Sequence, residues 1–368
     1  MTDVSSEMIA PLLPAFVAGV VGGGALALGL IEGVAESTAA LVKLASGALS
    51  DRMRRRKPLV VVGYGLAGAA RPLIGLALVW PVVLVLRFAD RVGKGLRGPP
   101  RDAIIADAVA EDARGRAFGF HQAMDHAGAV IGPLIAAALL AAGLELRGVF
   151  LSAAIPAAAV MLVLVLAVRE PPRAAPPPRP DPGEAAAPLG RDFRRLIAAA
   201  VLFTLGNSTD LFLLLRLRDA GIGDELLAVL WSAHHVVKMT AAYAGGAASD
   251  RMSRRTLLTA AWLFYAAIYV AFALVSSPAA LAAIFLAYGL TFGVAEPVQK
   301  AWTTDLVPPR RRGAAFGWLH GAVGLAALPA SLLFGLVWRG FGHAPAFGLG
   351  AALAGLAVLA LCRVGRGE

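Results

Sequence analysis

A single cysteine, Cys362, stands in a chain of 368 residues, which excludes an internal disulfide framework and any cluster built on several thiolates. Charge is scarce as well. Only 16% of the residues are charged while 58% are hydrophobic, against roughly 25% and about 45–50% in a soluble domain. Such a composition excludes an ordinary water-soluble globule and marks a chain that crosses a bilayer repeatedly. The opening residues, MTDVSSEMIA, carry acids where a signal peptide carries bases, so no secretory leader is read there. HExxH, CxxC, a nucleophile elbow and a phosphate loop are all missing. GVVGGG (19–24) is glycine-rich but lacks the Lys-Ser/Thr of a phosphate cradle. His234 and His235 are neighbours on a helix and so point in different directions. No metal site, no cofactor and no enzymatic activity are therefore expected.

What is present is apolar sequence in long runs. A bilayer-spanning helix needs about 20 mainly apolar residues. Twelve segments meet that length: 4–22, 25–48, 58–79, 81–103, 117–141, 147–168, 195–217, 223–247, 256–276, 278–301, 315–338 and 344–363. The net charge of +10 sits in short basic runs between these segments, not in a soluble domain that could hold nucleic acid. SDRMRRRK (50–57), EDARGRA (111–117), SDRMSRR (249–255) and PPRRRG (308–313) alternate with the uncharged loops GVVGGG, LVWP (78–81) and VSSP (275–278). Lys and Arg mark the cytoplasmic face, so both termini are expected there, with Trp80 and Trp338 at the outer interface. REPPRAAPPPRPDPGEAAAPLGRDFRR opens a Pro-rich linker over 169–194, which divides the chain into bundles of six spans, 1–168 and 195–368.

The halves repeat each other. GALSDRMRRR (47–56) returns as GAASDRMSRR (246–255), 199 positions on, and RGRAFGF (114–120) returns as RGAAFGW (312–318), 198 positions on. Two independent matches at nearly one offset indicate duplication, and parallel six-span repeats belong to one transporter architecture. On these residues the chain resembles the major facilitator superfamily over its whole length. The loop signature G-x-L-x-D-R-x-G-R-R is met by Gly47, Leu49, Asp51, Arg52, Arg55 and Arg56, with Arg54 in place of the usual glycine. The second copy keeps Gly246, Asp250, Arg251, Arg254 and Arg255; Arg91 and Gly95 fit the span-four motif, and GAVIGP (128–133) fits the antiporter motif through Gly128, Gly132 and Pro133. SSEM…PLLP followed by GKG…PRDA resembles a bacterial subgroup of drug- or metabolite-efflux type. The resemblance implies an all-α polytopic fold of two pseudo-symmetric six-helix bundles in the bacterial cytoplasmic membrane. It also implies a conformational latch in which Gly47, Asp51, Arg52, Arg55, Arg101, Asp102, Gly246, Asp250 and Arg251 take part.

Each charge at bilayer depth costs about 2.5–3.5 kcal/mol on insertion scales, so each is a candidate for function. Span four is densest, with Arg87, Asp90, Arg91, Lys94, Arg97 and Arg101 at short helical intervals. Glu32 and Glu36, one turn apart, offer partners, as do His121, Asp125, Asp210, His234, Lys238 and Glu296. Two close carboxylates raise one pKa, so such acids can carry protons. His121–Asp125 and Glu296–Lys300 are each i,i+4 and are equally read as structural pairs. The leading expectation is a monomeric secondary transporter that exports a small organic molecule, amphipathic or anionic, against protons. Proton-coupled uptake of a metabolite and a non-transporting receptor on the same fold are the alternatives.

The first span is irregular. Asp3 and Glu7 correspond through the repeat to the neighbourhood of Asp210, which about three apolar turns, LIAAAVLFTLG (196–206), precede. The run from Met8 to Val21 covers only about 21 Å of a core of about 30 Å. The two acids are therefore expected at mid-helix, with the first half of span one missing from the chain as it begins.

Overall fold

Apolar periodicity alone makes helices here, and the computed structural model of the chain, which describes residues 2–23, 25–170, 189–207 and 210–365, is helical with no strand among the described residues. The linker expected at 169–194 lies, over 171–188, outside the described residues, as do Ser208 and Thr209. The helices are α1 (Thr2–Ile9), α2 (Leu13–Gly19), α3 (Ala25–Arg52), α4 (Lys57–Leu73), α5 (Trp80–Ala108), α6 (Arg114–Ala141), α7 (Leu146–Ser152) and α8 (Ala154–Leu166). After the linker come α9 (Arg191–Gly206), α10 (Asp210–Asp219), α11 (Asp224–Ser249), α12 (Arg254–Leu274), α13 (Pro278–Asp305), α14 (Arg312–Phe341) and α15 (His343–Leu361).

The expected spans are all helical, and the differences have local causes. Pro11 and Pro14 remove backbone donors, so a 3-10 turn over Ala10–Leu12 separates α1 from α2. Span seven breaks behind Gly206, where Asn207 turns to an extended conformation, and Asp210 opens the next helix. Helices α3, α5, α13 and α14 run past the apolar segments into charged sequence, because a helix need not end where the hydrocarbon does. Among the described residues, eight stretches are long and apolar enough to cross a membrane: 57–76, 111–141, 146–166, 191–219, 254–274, 278–305, 309–341 and 343–361. The stretches left out include α3 and α5, which carry the intramembrane charges.

Packing gathers the chain into two units. Unit 1 takes residues 1–108, 125–179 and 310–321; unit 2 takes 109–124, 180–309 and 322–368. Each thus contains the first turns of a helix whose remainder belongs to the other. The apolar core of unit 1 joins Phe16, Ile31, Ile74, Val83 and Phe150, with the Phe16 and Phe150 rings 4.6 Å apart. Unit 2 is built around aromatic rings, including Phe203, Trp262, Tyr265, Tyr269 and Tyr288, all of them buried.

Within α5, Pro99 cannot donate to the Gly95 carbonyl four residues back. The Ser46 hydroxyl of α3 supplies that bond instead, at 2.7 Å. A Cβ on Gly95 would lie 2.6 Å from Val42 Cβ, so glycine is what lets α3 come near enough to do so.

Candidate functional site

Two ionic clamps repeat in the units. In unit 1, Asp51 ends α3 and faces the first turn of α14. It accepts from the backbone N–H groups of Gly313 at 2.9 Å and Ala314 at 2.7 Å, the donors that a helix N-terminus leaves over. Arg56 Nη2 sits 2.7 Å from Asp51 Oδ1 and also pairs with Asp107, which Arg312 grips from α14. Burial pushes the Asp51 carboxyl above the usual carboxylate range, against the pull of Arg56 and the two N–H donors. In unit 2, Asp250 ends α11 and accepts from Gly115 N–H at 2.7 Å and Arg116 N–H at 2.9 Å, in the first turn of α6. Arg254 lies 3.4 Å from Asp250 and 2.8 Å from Asp305, which Arg114 also holds at 2.9 Å.

Glycine makes both approaches possible. A Cβ on Gly47 would lie 2.3 Å from the Gly313 carbonyl, and one on Gly246 would lie 2.3 Å from the Gly115 carbonyl. Of the two repeated loops, Arg56 and Arg254 are the arginines that reach these aspartates. The turn after Arg52 leads the chain back so that Arg56 reaches both Asp51 and Asp107. Arg101 holds Asp102 at 3.1 Å, and Asp102 meets His320 of α14 at 2.7 Å.

Deeper in unit 1, the stripe of α5 meets its acids. Asp90 is the centre, with Arg71 at 2.9 Å, Arg87 at 3.3 Å and Arg91 at 3.9 Å. Arg87 continues to Glu32 at 2.7 Å and Arg91 to Glu36 at 3.3 Å. Arg71 also donates to the Thr2 carbonyl at 3.0 Å, which ties α1 to α4. Arginine stays charged in proteins, so each of these acids faces a permanent counter-charge. Arg97 lies 4.5 Å over the Tyr64 ring.

Helix α1 lies on the glycines of GAVIGP. A Cβ at Gly128 would fall 2.7 Å from Asp3 Cβ, and one at Gly132 would fall 2.9 Å from Glu7 Cβ. The smooth face of α6 ahead of Pro133 thereby brings the two acids of the opening stretch against it. The Asp3 and Asp125 carboxyls stand side by side, within hydrogen-bonding reach of one another. His121 stands one turn before Asp125 on α6.

Unit 2 has a different interior. Asp210 Oδ2 is 3.2 Å from Lys238 Nζ, and its Oδ1 accepts from the Tyr288 hydroxyl at 2.7 Å. His234 is fully buried, bonded through Nδ1 to the Phe285 carbonyl at 3.1 Å and stacked on Tyr288. Beside Asp210 opens a cavity of about 370 Å³ whose wall includes Phe203, Asn207, Trp262, Phe292, Glu296 and Gln299. Lys300, one turn past Glu296, donates to Gln122 at 3.3 Å.

Sequence reasoning missed the far side of each clamp: Asp107, Arg312, Gly313 and His320 in one, Arg114, Gly115 and Asp305 in the other. The signal was there, since RGRAFGF and RGAAFGW repeat at the offset of the two aspartates. It also missed Arg71, a lone arginine in an otherwise apolar span, and Trp262 and Tyr288, whose residue types alone do not separate a cavity wall from a core.

The model of the Major Facilitator Superfamily matches residues 1–315 and 217–367. An uncharacterized MFS-type transporter of Methanocaldococcus jannaschii is 30% identical over 351 residues, 92% of this chain and 86% of that protein. The multidrug resistance protein MdtH of Salmonella newport is 30% identical over 119 residues, 32% of this chain and 29% of its own length. Among solved structures, the transporter FucP in its outward conformation matches with a TM-score of 0.82 at 14% identity, covering 100% of this chain and 96% of FucP. The human organic anion transporter MFSD10 matches with a TM-score of 0.80 at 17% identity, covering 98% and 96%. By family model, by relatives and by fold, the chain belongs to the major facilitator superfamily of membrane transporters.

Proposed function

We propose that the protein is a monomeric, proton-coupled exporter of a small organic molecule, working by alternating access in the bacterial cytoplasmic membrane with both termini on the cytoplasmic side. The observation that carries the proton coupling is the pairing of the Asp3 and Asp125 carboxyls in unit 1, since two carboxyls so close favour taking up a proton. Its position against Gly128, and the position of Glu7 against Gly132, put the titratable acids on the antiporter-like segment. Glu32, Glu36 and Asp90 are each paired with an arginine and serve the architecture of the helices. The two clamps are the parts that a transport cycle must release and remake, being built from contacts that water can replace. Export is supported by the antiporter-like segment and by the partial likeness to a multidrug resistance protein.

The test uses everted membrane vesicles with an established pH gradient and a pH-sensitive dye. Solutes are added from panels of organic cations, organic anions, sugars and amino acids. The parent is expected to discharge the gradient with some of them, while Asp3→Asn, Asp125→Asn and Glu7→Gln each remove at least about nine-tenths of that flux (roughly 1.4 kcal/mol per factor of ten). Solute movement that continues unchanged after the gradient is collapsed would overturn proton coupling.

A further inference from the structure

We infer that the unit 2 cavity is the binding site for a flat organic cation, taken up between aromatic rings and the Asp210 and Glu296 carboxylates. The inference deepens the transporter reading above by naming its substrate class, and rests on it for direction and coupling only.

The wall of the cavity decides the sign of the ligand's charge. Among the described residues it carries two acids, Asp210 and Glu296, and no arginine, lysine or histidine. The cation that answers Asp210, Lys238, lies behind it: its side chain is 10% exposed, whereas that of Asp210 is 25% exposed. A ligand entering the cavity therefore meets the carboxylate before the ammonium. An anion here would face two carboxylates in a poorly solvated space, where like charges interact strongly. A neutral ligand without hydrogen-bond donors would strip water from the acids and return nothing. A cation replaces that water and competes with Lys238 for Asp210.

The remaining wall decides the shape. Phe203 and Trp262 stack at 4.5 Å with 12° between their planes, and Phe292 closes on Phe203 at 6.3 Å. These rings present broad apolar faces, which attract cations through their quadrupoles. Lys238 shows that the site already serves a cation in this way, with Nζ 5.8 Å from the Tyr288 ring centre and 5.4 Å from that of Phe292. Asn207, Thr204, Gln299 and Ser331 supply neutral hydrogen-bonding groups that fix orientation. A volume of about 370 Å³ admits a small two-ring molecule and lies within the usual range of ligand pockets. Arg71, Arg87 and Arg91 of unit 1 do not argue for an anion, because each is paired with an acid of its own unit.

The test measures equilibrium binding of N-methyl-4-phenylpyridinium to the purified full-length chain in detergent, with biphenyl-4-carboxylate as the anion of matching shape. No gradient is applied, so this result and the vesicle flux are judged apart: loss of one leaves the other standing. The cation is expected to bind saturably, near one per chain, at least about tenfold tighter than the anion. Trp262→Ala and Asp210→Asn are each expected to weaken it by about fivefold or more, with Trp262→Phe restoring most of the loss. Should Trp262→Ala fail to fold, Phe292→Ala is read in its place. Absence of saturable cation binding, anion binding as tight as cation binding, or cation binding indifferent to both the aromatic and the Asp210 substitutions would each overturn the assignment.

Discussion

The two units share their clamps and differ in their interiors. At the clamps, duplication is visible to the atom: an aspartate ending a helix accepts two N–H groups from the first turn of another, and an Arg–Asp–Arg chain runs beside it. Inside, unit 1 holds a lattice of arginines and acids around Asp90, while unit 2 holds stacked rings, one Asp–Lys pair and a cavity. The likeness lies where each copy holds a loop aspartate against the first turn of another helix. The difference lies where one copy is held rigid by permanent charges and the other leaves room for a ligand.

The sharpest way to break that contrast is at Asp90. Asp90→Asn strands buried arginines without their central counter-ion, which costs about 3–5 kcal/mol when a buried pair is broken. It is expected to lower the thermal unfolding midpoint in detergent far more than Asp210→Asn, whose partners are one lysine and the Tyr288 hydroxyl. Equal losses for the two would erase the distinction between a structural and a working interior.

The likeness of the clamps is tested by Asp51→Asn and Asp250→Asn. Each removes a charged acceptor of two N–H bonds, and hydrogen bonds to charged groups contribute about 1.5–3 kcal/mol. Both are expected to raise the labelling rate of thiols introduced on the cytoplasmic side, by similar factors. A rate that stays at the parent value would remove the clamp from the transport cycle, and a one-sided effect would show that the copies have diverged in role.

Gly47→Ala and Gly246→Ala are expected to lose about 1–3 kcal/mol through overpacking against the facing glycine carbonyls. Unfolding midpoints read the loss, and a silent Gly246→Ala would mean that its clamp is loose. The smallest effect is expected at Glu36→Gln. That side chain is 62% exposed and 3.3 Å from Arg91, so its pair contributes about 1 kcal/mol or less. A large destabilisation there would place Glu36 inside the lattice.

The all-helical fold, the repeat and the aspartates of both loops are legible in the sequence, because apolar length and close recurrence are local signals. The partners of those aspartates are not, because Gly313 and Gly115 act through backbone N–H groups that every residue owns. Arg56 was harder still to separate from Arg55, since which of two adjacent arginines points at Asp51 depends on a turn whose course the residue types leave open. The break before Asp210 left only a faint mark in Gly206-Asn207, which reads equally well as a weak spot in a continuous helix. The cavity escaped notice for a further reason: Phe203, Trp262 and Phe292 come from three different helices, and no spacing within one segment announces that they face one space.

The prolines of α5 have a mechanical consequence. Pro99 and Pro100 delete two consecutive rungs of the helical ladder, and Ser46 splices one of them from outside, at Gly95. The stiffness of α5 at that level therefore depends on how closely α3 lies beside it. When Ser46 is engaged, the helix behaves as one rod; when it is not, it becomes two rods on a pivot. Amide hydrogen exchange around residues 98–101, compared between the parent and Ser46→Ala, would read that stiffness directly.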